Sequence, residues 1–324
     1  MDLEGKRVTV GGAAGFIGTH LVNKLVESGA VVRGLVHKKS PQVELAGVDY
    51  LSADLTREAD ALRALRDTDV FVMAAANSSG AAVMEHRPLI HLTPNVVMNA
   101  LTLDAAHQNG VQKYCFISSN TVYPPSDEPM AECDVTGSFF DKYEVVGEMK
   151  WFSEKMVNFY ATKVSKPMET LVVRPGNLYG PYDKFSLKES KVIPALIRRA
   201  VAREDPFVVW GDGSDIKDFL FISDFVEAFF LAMQKDLPCA TVNIASGCSV
   251  NLLVIIEEIL RLTGNEGATV EFDISKPAMI PKRLIDVRLM SSLLNWAPTV
   301  SLAEGLATTI QWFQSQEDIS SLVE

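Results

Sequence analysis

The chain has 324 residues, a formal net charge of −11 and 48% hydrophobic residues. That length fits one large α/β domain or a domain with an appended lobe, and the acidic balance argues against nucleic acid or an anionic membrane as partner. No uninterrupted apolar run reaches the roughly 18 residues of a membrane span, and the opening MDLEGKRVTV has no apolar signal region. A cytoplasmic location is therefore expected. Cys115, Cys133, Cys239 and Cys248 show neither CxxC spacing nor histidines at ligand intervals, so they read as reduced thiols and no metal site is expected.

In chain order, the first informative stretch is VTVGGAAGFIG at 8–18, a buried strand running through a glycine turn into an apolar helix at 17–27. Gly12 permits the tight turn, Gly15 lets backbone amides approach a diphosphate, and Gly18 lets the helix pack on its strand. Phe16 and Ile17 open that helix, whose dipole favours an anion at its start. This predicts a dinucleotide site. The second strand, 31–36, ends in His37, Lys38 and Lys39, with no carboxylate where an NAD site places its ribose acceptor. Either these residues favour NADP(H) over NAD(H) by receiving a 2′-phosphate, or they form a solvated basic loop. After the third strand, 49–51, Asp54 accepts from an adenine amino group or caps the helix at 59–66, with Leu55 beside it. Ala74, Ala75 and Ala76 end the strand at 70–74, small either for cofactor approach or for helix packing.

A helix at 95–109 leads to the strand at 113–118 and the hydroxyl-rich ISSNTVYPP, then a long helix at 143–162 carrying Lys150 and Glu154, and a sixth strand at 171–174 before Pro175. Continuous apolar strands separated by helices predict an α/β fold, a Rossmann-type doubly wound parallel sheet. Residues 175–190 read as loop, followed by a helix at 191–203, a strand at 207–209, the turn GDGSD, a helix at 223–234, a last sheet strand at 241–245, and helices at 250–263 and 302–314. The expected division is a dinucleotide-binding domain of 1–176 plus 214–245. A smaller, non-contiguous C-terminal substrate lobe of 177–213 plus 246–324 completes the chain.

The glycine turn, SSNTVYP at 118–124 and Lys150 together resemble the extended short-chain dehydrogenase/reductases that modify nucleotide sugars. Within them the chain resembles the GDP-L-fucose synthases, GDP-sugar epimerase/reductases, through MAAANSSG at 73–80, AAHQNGVQK at 105–113, EPMAE at 128–132, the long run at 177–198, VVWGDG at 208–213 and KDFLFISDFVEA at 217–228. The C-terminal PKRLIDVRLM at 281–290 resembles the broader nucleotide-sugar family.

The resemblance implies that Ser119 is the catalytic serine and Lys150 the lysine anchoring the nicotinamide ribose, with Ser118 and Pro175 also facing the cofactor. It puts the family's catalytic tyrosine at Val146, which transfers no proton. Tyr143, one turn further upstream, is then either a replacement donor or a core or lid aromatic. The family's epimerisation cysteine and histidine fall on Thr121 and Lys191, which disfavours double epimerisation; Asn120 and Thr121, where dehydratases carry acids, disfavour dehydration. On the substrate side the resemblance implies Asn120, Asn177, Lys191, Trp210, Lys217 and Arg283. Trp210 is alternatively a core tryptophan, and Lys217 and Arg283 alternatively solvated surface cations.

These features imply an NADP(H)-dependent nucleotide-sugar reductase/epimerase working on a GDP-linked hexose, as a homodimer paired through the helices at 95–109 and 143–162. An NAD-dependent 4-epimerase and a non-catalytic NADP(H)-binding sensor or scaffold are the alternatives. Retention of Ser119 and Lys150 opposes the last; loss of the tyrosine motivates it.

Overall fold

Seven parallel strands form the central sheet: β1 (Arg7–Gly11), β2 (Val31–Val36), β3 (Asp49–Ser52), β4 (Val70–Met73), β5 (Lys113–Ile117), β6 (Glu169–Pro175) and, much later in the chain, Cys239–Ile244. In this computed structural model, which describes residues 1–78, 87–187, 189–276 and 280–316, the spatial order is β3-β2-β1-β4-β5-β6 and then the Cys239–Ile244 strand at the edge. The reversal between β1 and β4 is the switch point at which such sheets open a crevice beyond their carboxyl ends.

Sequence periodicity accounts for the two covered faces. In β4, Val70 and Val72 join one apolar cluster while Phe71 and Met73 join the other, as a period of two requires. Helices α1 (Phe16–Glu27) and Ile222–Gln234 cover the first face through Leu21, Leu25, Phe225 and Phe229. On the second face lie α2 (Glu58–Ala64), α3 (Thr93–Gln108) and α4 (Glu144–Thr162), contributing Ala61, Leu103 and Val157.

The later elements, apart from the Ile222–Gln234 helix and the Cys239–Ile244 strand, build a cap over the carboxyl ends. β7 (Asn177–Tyr179), α5 (Val192–Val201), β8 (Phe207–Trp210), β9 (Ile216–Phe221) and α6 (Ile222–Gln234) precede β10, the Cys239–Ile244 strand. β11 (Ser249–Asn251), α7 (Leu252–Leu262), β12 (Val270–Asp273), β13 (Lys282–Arg283), α8 (Arg288–Leu294) and α9 (Leu302–Gln314) follow. β9 is flanked by β11 and β13 and also pairs β7, while β8 pairs β12. Ile193, Ile197, Phe207, Ile255, Ile259, Ile310 and Phe313 belong to the same apolar cluster as Val8 and Val72, so cap and sheet share a core.

The structure departs from the sequence reading at several places. Residues 216–221 form β9, which pairs inside the small sheet although 214–245 was expected to accompany the central one. The expected loop at 175–190 contains β7, held by β9, and the short α8 was not expected. The long helix starts at Glu144, with a 3-10 turn at Asp141–Tyr143 before it. Parts of three stretches lie outside the described residues: 79–80 of MAAANSSG, 188 of the run at 177–198, and 277–279 with 317–324 of the expected lobe.

Candidate active site

The glycine turn is built by close approach. Gly12 has φ +81°, and a Cβ there would stand 2.7 Å from the Ala75 Cα and 2.8 Å from its nitrogen. Only a residue without a side chain lets β1 reach the end of β4, where the Ala74 amide donates to the Gly11 carbonyl at 3.1 Å. A Cβ on Gly18 would fall inside the van der Waals shell of the Gly12 carbonyl oxygen, so α1 can dock on its strand only with glycine there. Gly15 is the exposed N-cap of α1; no side chain caps that helix and no acid lies in its first turn. With Phe16 and Ile17 the turn thus leaves amides and a positive dipole end for an anion. This geometry fits a dinucleotide diphosphate.

At the end of β2, His37, Lys38 and Lys39 are exposed, and His37 Nε2 lies 3.9 Å from an Asp54 oxygen. The Asp54 carboxylate accepts from the Thr56 hydroxyl at 2.6 Å and the Thr56 amide at 3.0 Å, bonds that hold its pKa below the usual range. Capping of the following helix was one reading of Asp54; the structure corrects it, because α2 starts at Glu58 with Arg57 as its N-cap. Leu55 is buried beneath Gly11, Ala74 and Ala75 are half-buried against the turn, and Ala76 is exposed.

The end of β5 carries the densest polar network. Lys150 is buried; its ammonium donates to the Ile117 carbonyl at 2.8 Å and sits 4.8 Å from the Phe116 ring centroid. Burial pushes its pKa down to about 8, and Glu154 pulls it back up. The Ser118 hydroxyl donates to Glu154, which Arg174 clasps through Nε at 3.0 Å and Nη2 at 2.6 Å. Arg174 also donates to the Tyr123 hydroxyl at 3.0 Å, and that hydroxyl donates to Asn243 Oδ1 at 2.6 Å. Ser119 caps the 3-10 turn Asn120–Val122, its Oγ accepting from the Thr121 amide at 3.1 Å and the Thr121 hydroxyl at 3.0 Å. Asn120 ties this turn to β6 by donating to the Pro175 carbonyl at 3.0 Å.

Val146 is half-buried one turn before Lys150. Tyr143 precedes the helix, its ring edge-on to Phe140 at 5.8 Å between centroids. Burial pushes its hydroxyl up to about 12; Arg283 acts to lower it and Asp215 to raise it. The charges felt by Tyr143 thus come from the cap, whereas Lys150 feels Glu154.

From the cap, Lys191 at the N-cap of α5 reaches toward the glycine turn, its ammonium 5.9 Å from the Phe16 ring centroid. Asn177 donates to the Asp218 carbonyl at 2.7 Å. Trp210 is 39% exposed at the end of β8, so the core-tryptophan alternative is overturned. Lys217 is ion-paired with Asp215, its side chain 13% exposed. Arg283, opposite Lys217 in the β13–β9 register, is 3% exposed, which overturns its reading as a surface cation. Its Nη1 donates to the Tyr123 and Pro124 carbonyls at 3.2 and 3.1 Å, while Nε and Nη2 are buried without a partner. Burial pushes its pKa down to about 10, against the pull of Tyr143 and Tyr123.

Sequence reasoning missed the structural weight of Arg174, Tyr123 and Asn243, and of Asp218, whose buried carboxylate accepts from the Ser246 and Gly247 amides at 2.8 and 2.7 Å. The signal was present in Arg174, a charge at the end of the apolar run LVVRP, which a buried strand tolerates only with a partner. Among the described residues, no group of three or more His, Cys, Asp or Glu converges as a metal site, and no helix is long and apolar enough to cross a membrane.

Residues 8–245 match the model of the NAD dependent epimerase/dehydratase family. The chain is 30% identical over 328 residues to a GDP-L-fucose synthase of Escherichia coli (strain K12), covering 97% of this chain and 98% of that protein. It is 28% identical to a dTDP-4-dehydro-6-deoxy-D-allose reductase of Streptomyces bikiniensis, covering 96% and 97%. A solved UDP-glucose 4-epimerase with UDP-glucose from Thermotoga maritima superposes with a TM-score of 0.85 at 25% identity, covering 95% of this chain and 98% of that one. The chain belongs to the NAD-dependent epimerase/dehydratase family and is an enzyme of the extended short-chain dehydrogenase/reductase type.

Proposed function

We propose that the chain is an NADP(H)-dependent nucleotide-sugar reductase/epimerase whose reaction is hydride transfer at a carbon of a GDP-linked ketohexose. The observation that carries this reading is that two cations are buried, one below the end of β5 and one in the cap. Lys150 is bonded to the Ile117 carbonyl, next in the chain to Ser118 and Ser119, and Arg283 lies in the cap with two nitrogens lacking partners. The first suits a nicotinamide ribose and the second an anion. The relatives named for GDP- and dTDP-linked sugars support the substrate class.

The nicotinamide, when bound, supplies or accepts the hydride. Gly15 and the start of α1 hold the diphosphate of the cofactor, His37 and Lys38 receive its 2′-phosphate, and Asp54 meets the adenine. Arg283 holds the diphosphate of the substrate, with Asn177, Lys217 and Trp210 alongside. Ser119 hydrogen-bonds the reacting oxygen. Val146 supplies no proton, so Tyr143, Lys191 or water completes that step. Thr121 replaces the family's cysteine, and a threonine hydroxyl is too weak a base to form a carbanion unaided; the reading is therefore reduction rather than double epimerisation. α3 and α4 pair two copies, with Phe152 and Phe159 exposed two turns apart on one face of α4.

A second reading, a 4-epimerase with tightly held NAD, is favoured by the superposition on UDP-glucose 4-epimerase. One experiment separates them. NADPH and NADH consumption is followed with GDP-, dTDP- and UDP-linked 4-keto-6-deoxyhexoses, and interconversion of UDP-glucose and UDP-galactose is assayed in parallel. NADPH-dependent loss of a GDP-linked ketone supports the reductase; sugar interconversion without added cofactor overturns it. The same ligands at a hundred times their Kd stabilise the fold by about 2.7 kcal/mol, visible as a melting shift.

A further inference from the structure

We propose that Thr121 is the positioning residue that fixes the Ser119 hydroxyl as a hydrogen-bond donor to the reacting oxygen, an inference that rests on the reductase reading of this site. A hydroxyl has one proton to donate and two lone pairs to accept with. Ser119 Oγ accepts twice, from the Thr121 amide at 3.1 Å and from the Thr121 hydroxyl at 3.0 Å. With both acceptor positions filled, the Ser119 proton occupies the remaining direction, away from the turn and into the crevice at the end of β5. Thr121 spends its own proton on Ser119, so it presents none to a ligand.

The turn is held from three sides, which makes this orientation a fixed property of the site. Asn120 donates to the Pro175 carbonyl at 3.0 Å. Gly147 on α4 lets the Thr121 carbonyl approach so closely that a Cβ there would stand 2.8 Å from it. Thr121 itself is 7% exposed, and Val122 and Tyr123 behind it are fully buried. Of the neighbouring positions, Val146 has no hydroxyl and Ser118 donates to Glu154, so neither takes the place of Thr121. A cysteine at 121 would offer only a weak S–H donor. Threonine at this position therefore converts a base position into an orienting one.

Neutron diffraction from ligand-free crystals of the full chain, grown with deuterium, reads the orientation directly. The expected map has the Thr121 deuteron on the line between the two oxygens and the Ser119 deuteron pointing off it. A Ser119 deuteron directed at Thr121 Oγ1 overturns the proposal. In turnover with NADPH and a GDP-linked 4-keto-6-deoxyhexose, Thr121→Val lowers kcat by about 10- to 100-fold at unchanged KM, and Thr121→Ser restores it. Wild-type kcat in Thr121→Val, or no rescue by serine, counts against the role. If wild-type protein reduces no ketosugar, the reductase reading fails, and the deuteron positions decide the proposal by themselves.

Discussion

Arg174 holds Glu154 in a two-pronged clasp, Nε to Oε1 at 3.0 Å and Nη2 to Oε2 at 2.6 Å, with both side chains under 10% exposed. Glu154 also accepts the Ser118 hydroxyl and lies one helical turn beyond Lys150, so this pair locks α4 to the strand ends where the chemistry is proposed. Removing one member of a buried pair leaves the other charge uncompensated, at a cost of about 3–5 kcal/mol. Glu154→Gln is therefore expected to destabilise by about 3 kcal/mol in urea unfolding. The double variant Glu154→Leu/Arg174→Met should cost less than the sum of the singles. Strict additivity in that double-mutant cycle would show that the clasp is not coupled.

Lys150 supplies a pH dependence with a definite sign. Its ordinary pKa of 10.5 is pushed down to about 8 by burial, so the ammonium is present below about pH 8 and lost above it. If that charge holds the cofactor, NADPH affinity is level up to pH 8 and weakens above it, and Lys150→Met is weaker throughout but flat. The ligand-free stability moves the other way. Between pH 8 and 10.5 the unfolded chain keeps a proton that the folded chain has released, so wild-type stability gains with rising pH relative to Lys150→Met. Titration calorimetry with NADPH and urea midpoints across pH check both trends; parallel curves for the two proteins would remove Lys150 from the explanation.

The central sheet was legible because its strands are buried on both faces and read as unbroken apolar runs, as VFVM in β4 does. The glycine turn was legible because Gly12 and Gly18 are each required by a backbone contact. β9 was not, because IKDFLF runs into ISDFVEA with no glycine or proline between them, and only pairing with β7, β11 and β13 marks where strand gives way to helix. The position of Tyr143 was also hidden. Helical spacing put it on the face of Lys150, whereas a 3-10 turn at Asp141–Tyr143 precedes the helix and its environment is set by the cap. Arg283 was singled out by resemblance alone, and its burial with two unpartnered nitrogens is a tertiary fact without a local sequence signal.

The exposed cations after β2 make the cofactor preference testable. His37, Lys38 and Lys39 follow the strand with no carboxylate among them, while an Asp54 oxygen lies 3.9 Å from His37. Lys38→Ala/Lys39→Ala is expected to weaken NADPH by about tenfold, one charge-assisted phosphate contact or slightly more, and to leave NADH unchanged. Raising ionic strength should narrow the wild-type preference in the same direction, since these side chains are solvated. Equal losses for the two cofactors would place the 2′-phosphate elsewhere.

Arg283 and Lys217 face each other across β13 and β9 but should contribute unequally to diphosphate binding. Arg283 keeps two buried nitrogens without partners, a desolvation cost that an anion would remove on binding. Lys217 already has Asp215, so a phosphate must compete with that carboxylate. With GDP as probe, Arg283→Ala is expected to lose about 2–4 kcal/mol of binding, or about 30- to 1000-fold in Kd. Lys217→Ala should lose less than about tenfold. Arg283→Lys should not recover the difference, because a point charge lacks the two parallel donors of the guanidinium fork. Calorimetric titration of GDP into the three variants reads these values. Equal affinities for Arg283→Ala and wild type would mean that the unpartnered nitrogens are a strain of the fold and not a ligand site.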